Sequence, residues 1–218
     1  MTAVIVANGE FPRREYPRWL LQSADVVVCC DGAYRHLKRL GIRPVAIVGD
    51  MDSLPRSVRD LPKTGAGPAP LLVKIDEQDF NDLNKAFLWL RENYPQATDI
   101  HILGATGRSE AHTLGNLSYL MYWEQEHKLS EKGIRIDMVS DYNTAFAVTG
   151  SCELHVGEGR KISFFSPDPN LRIKSSGLKW PTDDVTFGFW FRATLNRATS
   201  DIVSLDFNHP APALVILD

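Results

Sequence analysis

Short acidic motifs recur in the sequence, each placed just after a run of apolar residues. They are Cys30-Asp31-Gly32, Gly49-Asp50-Met51-Asp52-Ser53, Gln78-Asp79-Phe80-Asn81-Asp82 and, further on, Asp141. Carboxylates gathered at one edge repel one another unless a cation lies among them. Asp50 and Asp52 are two residues apart, so extended backbone would point both side chains the same way. Mg²⁺ favours oxygen ligands in octahedral array, often one or two carboxylates with waters and substrate phosphates. An Asp-x-Asp following an apolar strand suits that chemistry. Each acid also has a plainer use, since aspartates after strands form turns and those before helices cap them. That alternative stands for Asp31, Asp79 and Asp82 in particular.

A second motif is Leu103-Gly104-Ala105-Thr106-Gly107-Arg108, followed by Ser109-Glu110-Ala111-His112. Its glycines permit close backbone approach, and free amides at a helix start favour an anion. Thr106 lies within the loop, and Arg108 can add charge-assisted bonds to phosphate. No Gly-Lys-Ser/Thr follows, so this is not a Walker loop. The alternative is a plain turn capped by Ser109. A third motif, Gly177-Leu178-Lys179-Trp180-Pro181, offers Trp180 as a stacking face for an aromatic or cationic ligand. A core tryptophan is the competing account there, and Trp190 and Phe191 read mostly as core.

These residues must be held by elements. Apolar runs at Ala3–Ala7, Val26–Cys30, Val45–Val48, Leu71–Ile75, Ile100–Leu103 and Ile134–Val139 are continuous rather than alternating. That pattern predicts strands covered on both faces, as in a parallel sheet. Helical spacing appears between them, over Ala33–Leu40, Leu83–Arg91 and His112 to about Lys132. Beyond Asn143 no helical period remains. Strand candidates follow at Ser151–Val156, Lys161–Phe165, Leu171–Lys174, Val185–Thr194, Ile202–Phe207 and Leu214–Leu217. The expectation is an α/β chain: a mostly parallel-sheet domain over 1–143, then a small antiparallel β-sandwich over 144–218. The Pro/Gly-rich stretch Pro62–Pro70 reads as a surface loop. In open α/β sheets ligands bind outside the carboxyl ends of the strands, where the acidic motifs fall.

Composition narrows the function. The 218 residues are 44% hydrophobic and 23% charged, with a formal net charge of −3, and the pI is about 6.1. A mildly acidic chain is a poor match for a broad nucleic-acid-binding face. Cys29, Cys30 and Cys152 cannot all pair, and the first two sit in an apolar run, which points to free thiols in a reducing compartment. No run approaches the ~18 apolar residues of a membrane span. The first residues, MTAVIVANGE, carry no basic segment before the apolar ones, so no secretory signal is expected and the protein is expected in the cytoplasm.

Taken in order, Asp31-Gly32-Ala33, Gly49-Asp50-Met51-Asp52-Ser53, Gln78-Asp79-Phe80-Asn81-Asp82 with Lys85-Ala86, Gly104-Ala105-Thr106-Gly107 with His112-Thr113-Leu114-Gly115-Asn116, and Gly177-Leu178-Lys179-Trp180 resemble the thiamine pyrophosphokinase family. The resemblance spans nearly the whole chain. It implies an α/β nucleotide-binding domain followed by a β-sandwich. It implies transfer of the pyrophosphoryl group of ATP to the hydroxyl of thiamine, giving thiamine diphosphate and AMP, with Mg²⁺ as cofactor. Asp50, Asp52 and Asp82 would be the catalytic and metal-holding acids, with Asp82 the candidate base. Asp31, Ser53, Gln78, Asp79 and Asn81 would contact nucleotide or phosphate, together with Thr106 and Arg108. Asn81 stands where the family usually has threonine. Trp180 and Asn196 would contact thiamine. A homodimer is implied, with the thiamine pocket at the subunit interface.

One block departs from the family pattern. Its usual Arg-x-Asp-His is Ser109-Glu110-Ala111-His112 here, although Arg108 and Glu110 keep an Arg-x-acid spacing. Two other functions therefore stay open. One is a non-catalytic nucleotide- or thiamine-binding homologue, motivated by Ala111. The other is a related pyrophosphokinase acting on a different alcohol.

Overall fold

A computed structural model describes residues 1–54, 69–77 and 79–218. Gln78 and residues 62–68 of the Pro/Gly-rich stretch lie outside the described residues. The chain forms two compact units, 1–116 with 133–141, and 117–132 with 142–218.

In the first unit the strands are β1 (Thr2–Val6), β2 (Val26–Cys30), β3 (Ala46–Gly49), β4 (Leu71–Lys74), β5 (Asp99–Leu103) and β6 (Arg135–Val139). They run parallel in the order β6-β5-β1-β2-β3-β4. Continuous apolarity has the expected cause in the inner strands: every residue of β2 (VVVCC) is buried, as are Ala3–Val6 of β1. The expectation fails for β4, which ends the sheet and leaves Leu71 and Leu72 exposed. Helices α1 (Glu15–Ser23), α2 (Tyr34–Arg39), α3 (Asp82–Asn93) and α4 (Glu110–His127) intervene. Leu20 and Leu21 of α1 and Leu37 of α2 share a core with Val4, Val27 and Ile47. The sequence reading missed α1, whose buried face is only Pro17, Leu20 and Leu21. The residues that lead into it are held from across the unit. The Arg13 and Arg14 N–H groups donate to the Asp141 carboxylate at 2.8–3.0 Å. Asp141 therefore serves a helix start rather than the acidic cluster.

The order of these strands contains a reversal. The chain moves outward from β1 through β2, β3 and β4, then returns to place β5 on the other side of β1. That reversal sets a switch point at the carboxyl edge of the sheet, and a crevice lined by residues that follow β1, β2 and β5 lies there.

The second unit carries two antiparallel arrangements. One orders β11 (Ala193–Arg197), β9 (Lys161–Phe165), β13 (Ala213–Leu217) and β7 (Thr144–Val148), and the other orders β10 (Ile173–Ser176), β12 (Ile202–Phe207) and β8 (Cys152–His155). Phe164, Ile162 and Val215 from the first share a core with Ile173, Val203 and Leu205 from the second, which makes this unit a sandwich. The fold is therefore the expected combination of a mostly parallel α/β layer and an antiparallel β-sandwich. Two local expectations are corrected. β7 was not anticipated. The expected strand Val185–Thr194 is mostly turns, with a strand only from Ala193. Phe187 and Ala193 are the residues of that stretch buried in the core, whereas Trp190 and Phe191 are 48% and 51% exposed, not core.

Candidate active site

Three carboxylates converge at the crevice. Asp31 follows β2, Asp50 follows β3 and Asp82 opens α3, and each offers an oxygen within 4.8 Å of the others. Gly49 makes this approach possible. A Cβ there would stand 3.1 Å from the Asp31 carboxyl carbon and 3.3 Å from that of Asp82. Asp31 is only 3% exposed. Burial pushes its carboxyl up; the Gly32 and Ser53 N–H groups, which donate to it, pull back; and Asp50 and Asp52 add to the rise. Asp82 is likewise raised, first by burial and then by the Asp31 charge, against the opposing pull of Lys85. Lys85 is a buried cation that sequence reading left without a role. Its ammonium sits 3.5 Å from Asp82 and donates to the Ile75 carbonyl at 3.2 Å. Its spacing three residues after Asp82 was the available signal.

Asp52 is placed differently from the expectation. The strand ends at Gly49, and Met51 adopts a left-handed φ of 69°, so extended geometry does not persist to carry Asp50 and Asp52 the same way. The exposed Asp52 carboxylate stays outside the trio, while its N–H donates to Asp50 Oδ1 at 3.0 Å. The trio is made of hard oxygen donors carrying like charge, two of them raised. That donor set fits a hard divalent cation such as Mg²⁺.

A cavity of about 380 Å³ lies over Asp31 and Asp82. Its walls include Asn8, Asp31, Ser53, Asn81, Asp82 and Arg108. Asn81 caps α3, its side chain accepting from Asn84 N at 3.2 Å, and donates to Asn116 Oδ1 at 2.8 Å. Asn116, which sequence reading passed over, in turn donates to the Ala105 carbonyl at 2.7 Å. Thr106 contributes its backbone carbonyl to Glu10 N at 2.8 Å. Asp79 opens instead onto a separate cavity of about 400 Å³, beside Glu77, Phe80, Leu88 and Trp89.

The sequence matches the thiamin pyrophosphokinase catalytic domain over residues 18–130, more than half of the chain. The chain belongs to the thiamin pyrophosphokinase family. Solved structures agree on the fold. The thiamine pyrophosphokinase from Bacillus subtilis superposes with a TM-score of 0.78 at 23% identity, over 100% of this chain and 99% of that one. That from Geobacillus thermodenitrificans gives 0.75 at 21% identity, over 100% and 97%. The thiamin pyrophosphokinase from Candida albicans gives 0.77 at 14% identity, over 99% and 88%. At these identities the likeness speaks to fold alone. Comparison with curated proteins gives no match.

The residues that the thiamin pyrophosphokinase resemblance assigned to thiamine lie in the sandwich unit, and they touch. Asn196 Nδ2 donates to the Trp180 carbonyl at 2.6 Å, and its Oδ1 accepts from Trp180 N at 3.2 Å. The buried Asn196 amide thus pairs with the Trp180 backbone as a neighbouring strand would. Gly177 permits the close passage: at φ 79°, its Cβ would stand 2.4 Å from the Ile202 carbonyl oxygen. The indole of Trp180 is 53% exposed, outside the sandwich core, with the Lys179 ammonium 4.7 Å from the ring centroid. Trp190 packs on Phe165, ring centroids 5.2 Å apart, and meets Phe191 edge-on at 6.2 Å. Among the described residues no helix is long and apolar enough to cross a membrane.

Proposed function

We propose that this protein transfers the pyrophosphoryl group of ATP to the hydroxyl of thiamine, giving thiamine diphosphate and AMP. The observation that carries this reading is the convergence of Asp31, Asp50 and Asp82 within 4.8 Å, in a chain of this family. In the reaction the thiamine hydroxyl oxygen forms a bond to the β-phosphorus of ATP. The bond from that phosphorus to the oxygen bridging it to the α-phosphate breaks, and AMP departs with the oxygen. Such transfers need mainly positioning and charge neutralisation. Asp31, Asp50 and Asp82 would hold a Mg²⁺ ion, with Asp52 orienting Asp50 through its N–H. When bound, that ion supplies charge neutralisation to phosphate oxygens. We assign to Asp82 the acceptance of the hydroxyl proton, as a carboxylate that opens α3 and lines the crevice. Ser53, Asn81 and Arg108, which line the crevice, take the phosphate-facing role, with Thr106 in the same loop.

Trp180 and Asn196 are assigned to the thiamine ring, whose cationic thiazolium suits an indole face. The exposed Phe189, Trp190 and Phe191 favour a homodimer that covers them. The free Cys29, Cys30 and Cys152 accord with a cytoplasmic setting. The test is incubation with ATP, Mg²⁺ and thiamine. AMP and thiamine diphosphate in equal amounts are expected. ADP with thiamine monophosphate would overturn the pyrophosphoryl reading, and ligand binding without turnover would make the protein a non-catalytic homologue.

A further inference from the structure

Arg35, in the first turn of α2, and Arg108, in the loop after β5, reach the same atom. Arg35 Nη2 donates to Asn8 Oδ1 at 3.2 Å, and Arg108 Nη1 donates to that oxygen at 3.3 Å and to the Asn8 carbonyl at 2.9 Å. Two like charges thus converge on one neutral amide. Among the described residues neither guanidinium is ion-paired with a carboxylate. A neutral oxygen shared by two cations leaves most of their ten guanidinium N–H bonds free for an anion.

The backbone is shaped to hold this arrangement. Gly32 leaves the space that the Asn8 amide fills, since a Cβ there would lie 2.2 Å from Asn8 Nδ2. Gly9 N donates to the Gly104 carbonyl at 2.6 Å and Glu10 N to the Thr106 carbonyl at 2.8 Å, which zips the loop after β1 to the loop after β5. Arg108 itself sits at a left-handed φ of 64°. A bulky residue rarely adopts that conformation, and strain of this kind concentrates at functional sites. The positive field is felt nearby: His36 is lowered first by burial, then by Arg35, Arg39 and Arg108. Asn8 and Arg108 also line the cavity that Asp31 and Asp82 line.

We propose that Arg35 and Arg108, joined through Asn8, form a two-guanidinium clamp for the phosphate chain of a nucleoside triphosphate. This assignment deepens the function proposed above and rests on it for the identity of the nucleotide. The clamp takes phosphate oxygens beside the carboxylate trio, which would hold a cation that neutralises the same phosphate chain. Arg35 thereby becomes a phosphate-binding residue and Asn8 a positioning one, neither announced by an acidic or glycine-rich motif.

The test is calorimetric binding of ATP and of inorganic tripolyphosphate to the full chain, with Mg²⁺ present. Arg35→Gln is expected to weaken both about tenfold, as loss of a charge-assisted hydrogen bond does. Arg35→Lys keeps the charge but loses the fork, and falls between. Gly32→Ala, checked for an unchanged circular dichroism spectrum, weakens tripolyphosphate as Arg35→Gln does, because it displaces Asn8. Arg39→Gln, which removes a neighbouring charge outside the Asn8 network, leaves both affinities within about twofold. The KM for thiamine stays unchanged in Arg35→Gln. Wild-type affinity in Arg35→Gln, or no tripolyphosphate binding by the unaltered protein, overturns the clamp. Arg35-dependent tripolyphosphate binding without thiamine diphosphate production upholds the clamp and sinks the thiamine reading. Thiamine diphosphate production with an unaltered KM for ATP in Arg35→Gln does the reverse.

Discussion

Asp50 and Asp52 are near neighbours in sequence, yet they meet the crevice by different atoms, one by its carboxylate and the other by its N–H. Their asparagine variants should therefore separate. Asp50→Asn is expected to lower kcat at least about 100-fold with the thermal midpoint kept, because it removes a charged oxygen from the trio. Asp52→Asn keeps its N–H and should lose far less. Equal losses, measured as AMP release over a range of Mg²⁺ concentrations, would return Asp52 to the ion. Trp180→Ala tests the other unit. A cation over an indole contributes roughly 0.5–2 kcal/mol, so the thiamine KM should rise about tenfold while the ATP KM holds. A steep fall in thermal stability with both KM values unchanged would make Trp180 a packing residue. At this scale the sequence showed the acids at strand ends, because an aspartate after an apolar run is a local pattern. It did not show that Asp141 caps α1 or that Met51 turns the chain. Those outcomes depend on a distant backbone and on one φ value.

Strand elements were the most legible, because both faces of β1 and β2 are covered and the run of Val, Ile and Cys says so directly. Helix α1 escaped because few of its residues face the core and its start is held by Asp141, far along the chain. Asp141→Ala should cost about 1 kcal/mol of stability, read from urea midpoints, through loss of its hydrogen bonds to Arg13 N and Arg14 N. An unchanged midpoint would mean that water replaces the carboxylate at no cost. β5 and β6 carry a cross-strand pair of another kind. Burial lowers His101, but its 2.7 Å contact with Asp137 and the charge of Asp137 more than offset this, holding the imidazole above its ordinary 6.5. A histidine raised in the folded state contributes stability that is complete below about pH 6.5 and is lost as pH rises through the raised value. The unfolding free energy should therefore decline as pH rises above about 6.5, and His101→Gln should flatten that decline. An identical slope in the variant would assign the effect to other groups.

At the scale of the whole molecule, the change from helical period to strands near Asn143 announced a sandwich following an α/β layer. The sequence did not announce which strands become neighbours. The apolar pattern fixes what is buried, while the return of β5 to the far side of β1 is a matter of topology. Nor did it show that Phe189, Trp190 and Phe191 would stand at the surface, since an aromatic run reads as core until a turn interrupts the strand. Their exposure underlies the expectation of a dimer in sedimentation velocity. Trp190→Ser should shift the protein toward monomer, and an active wild-type monomer at assay concentration would refute the dimer. The buried pair Cys29–Cys30 has a further use. Both thiols lie in central strand β2, and burial, followed by nearby carboxylate charge, holds both far above the usual thiol range. A maleimide can reach them only when β2 leaves the sheet, whereas half-buried Cys152 is modified from a smaller opening. The rate of double labelling at Cys29 and Cys30 is thus an intrinsic clock for the opening of the α/β layer, and ligands that slow it report their own binding without any assay of turnover.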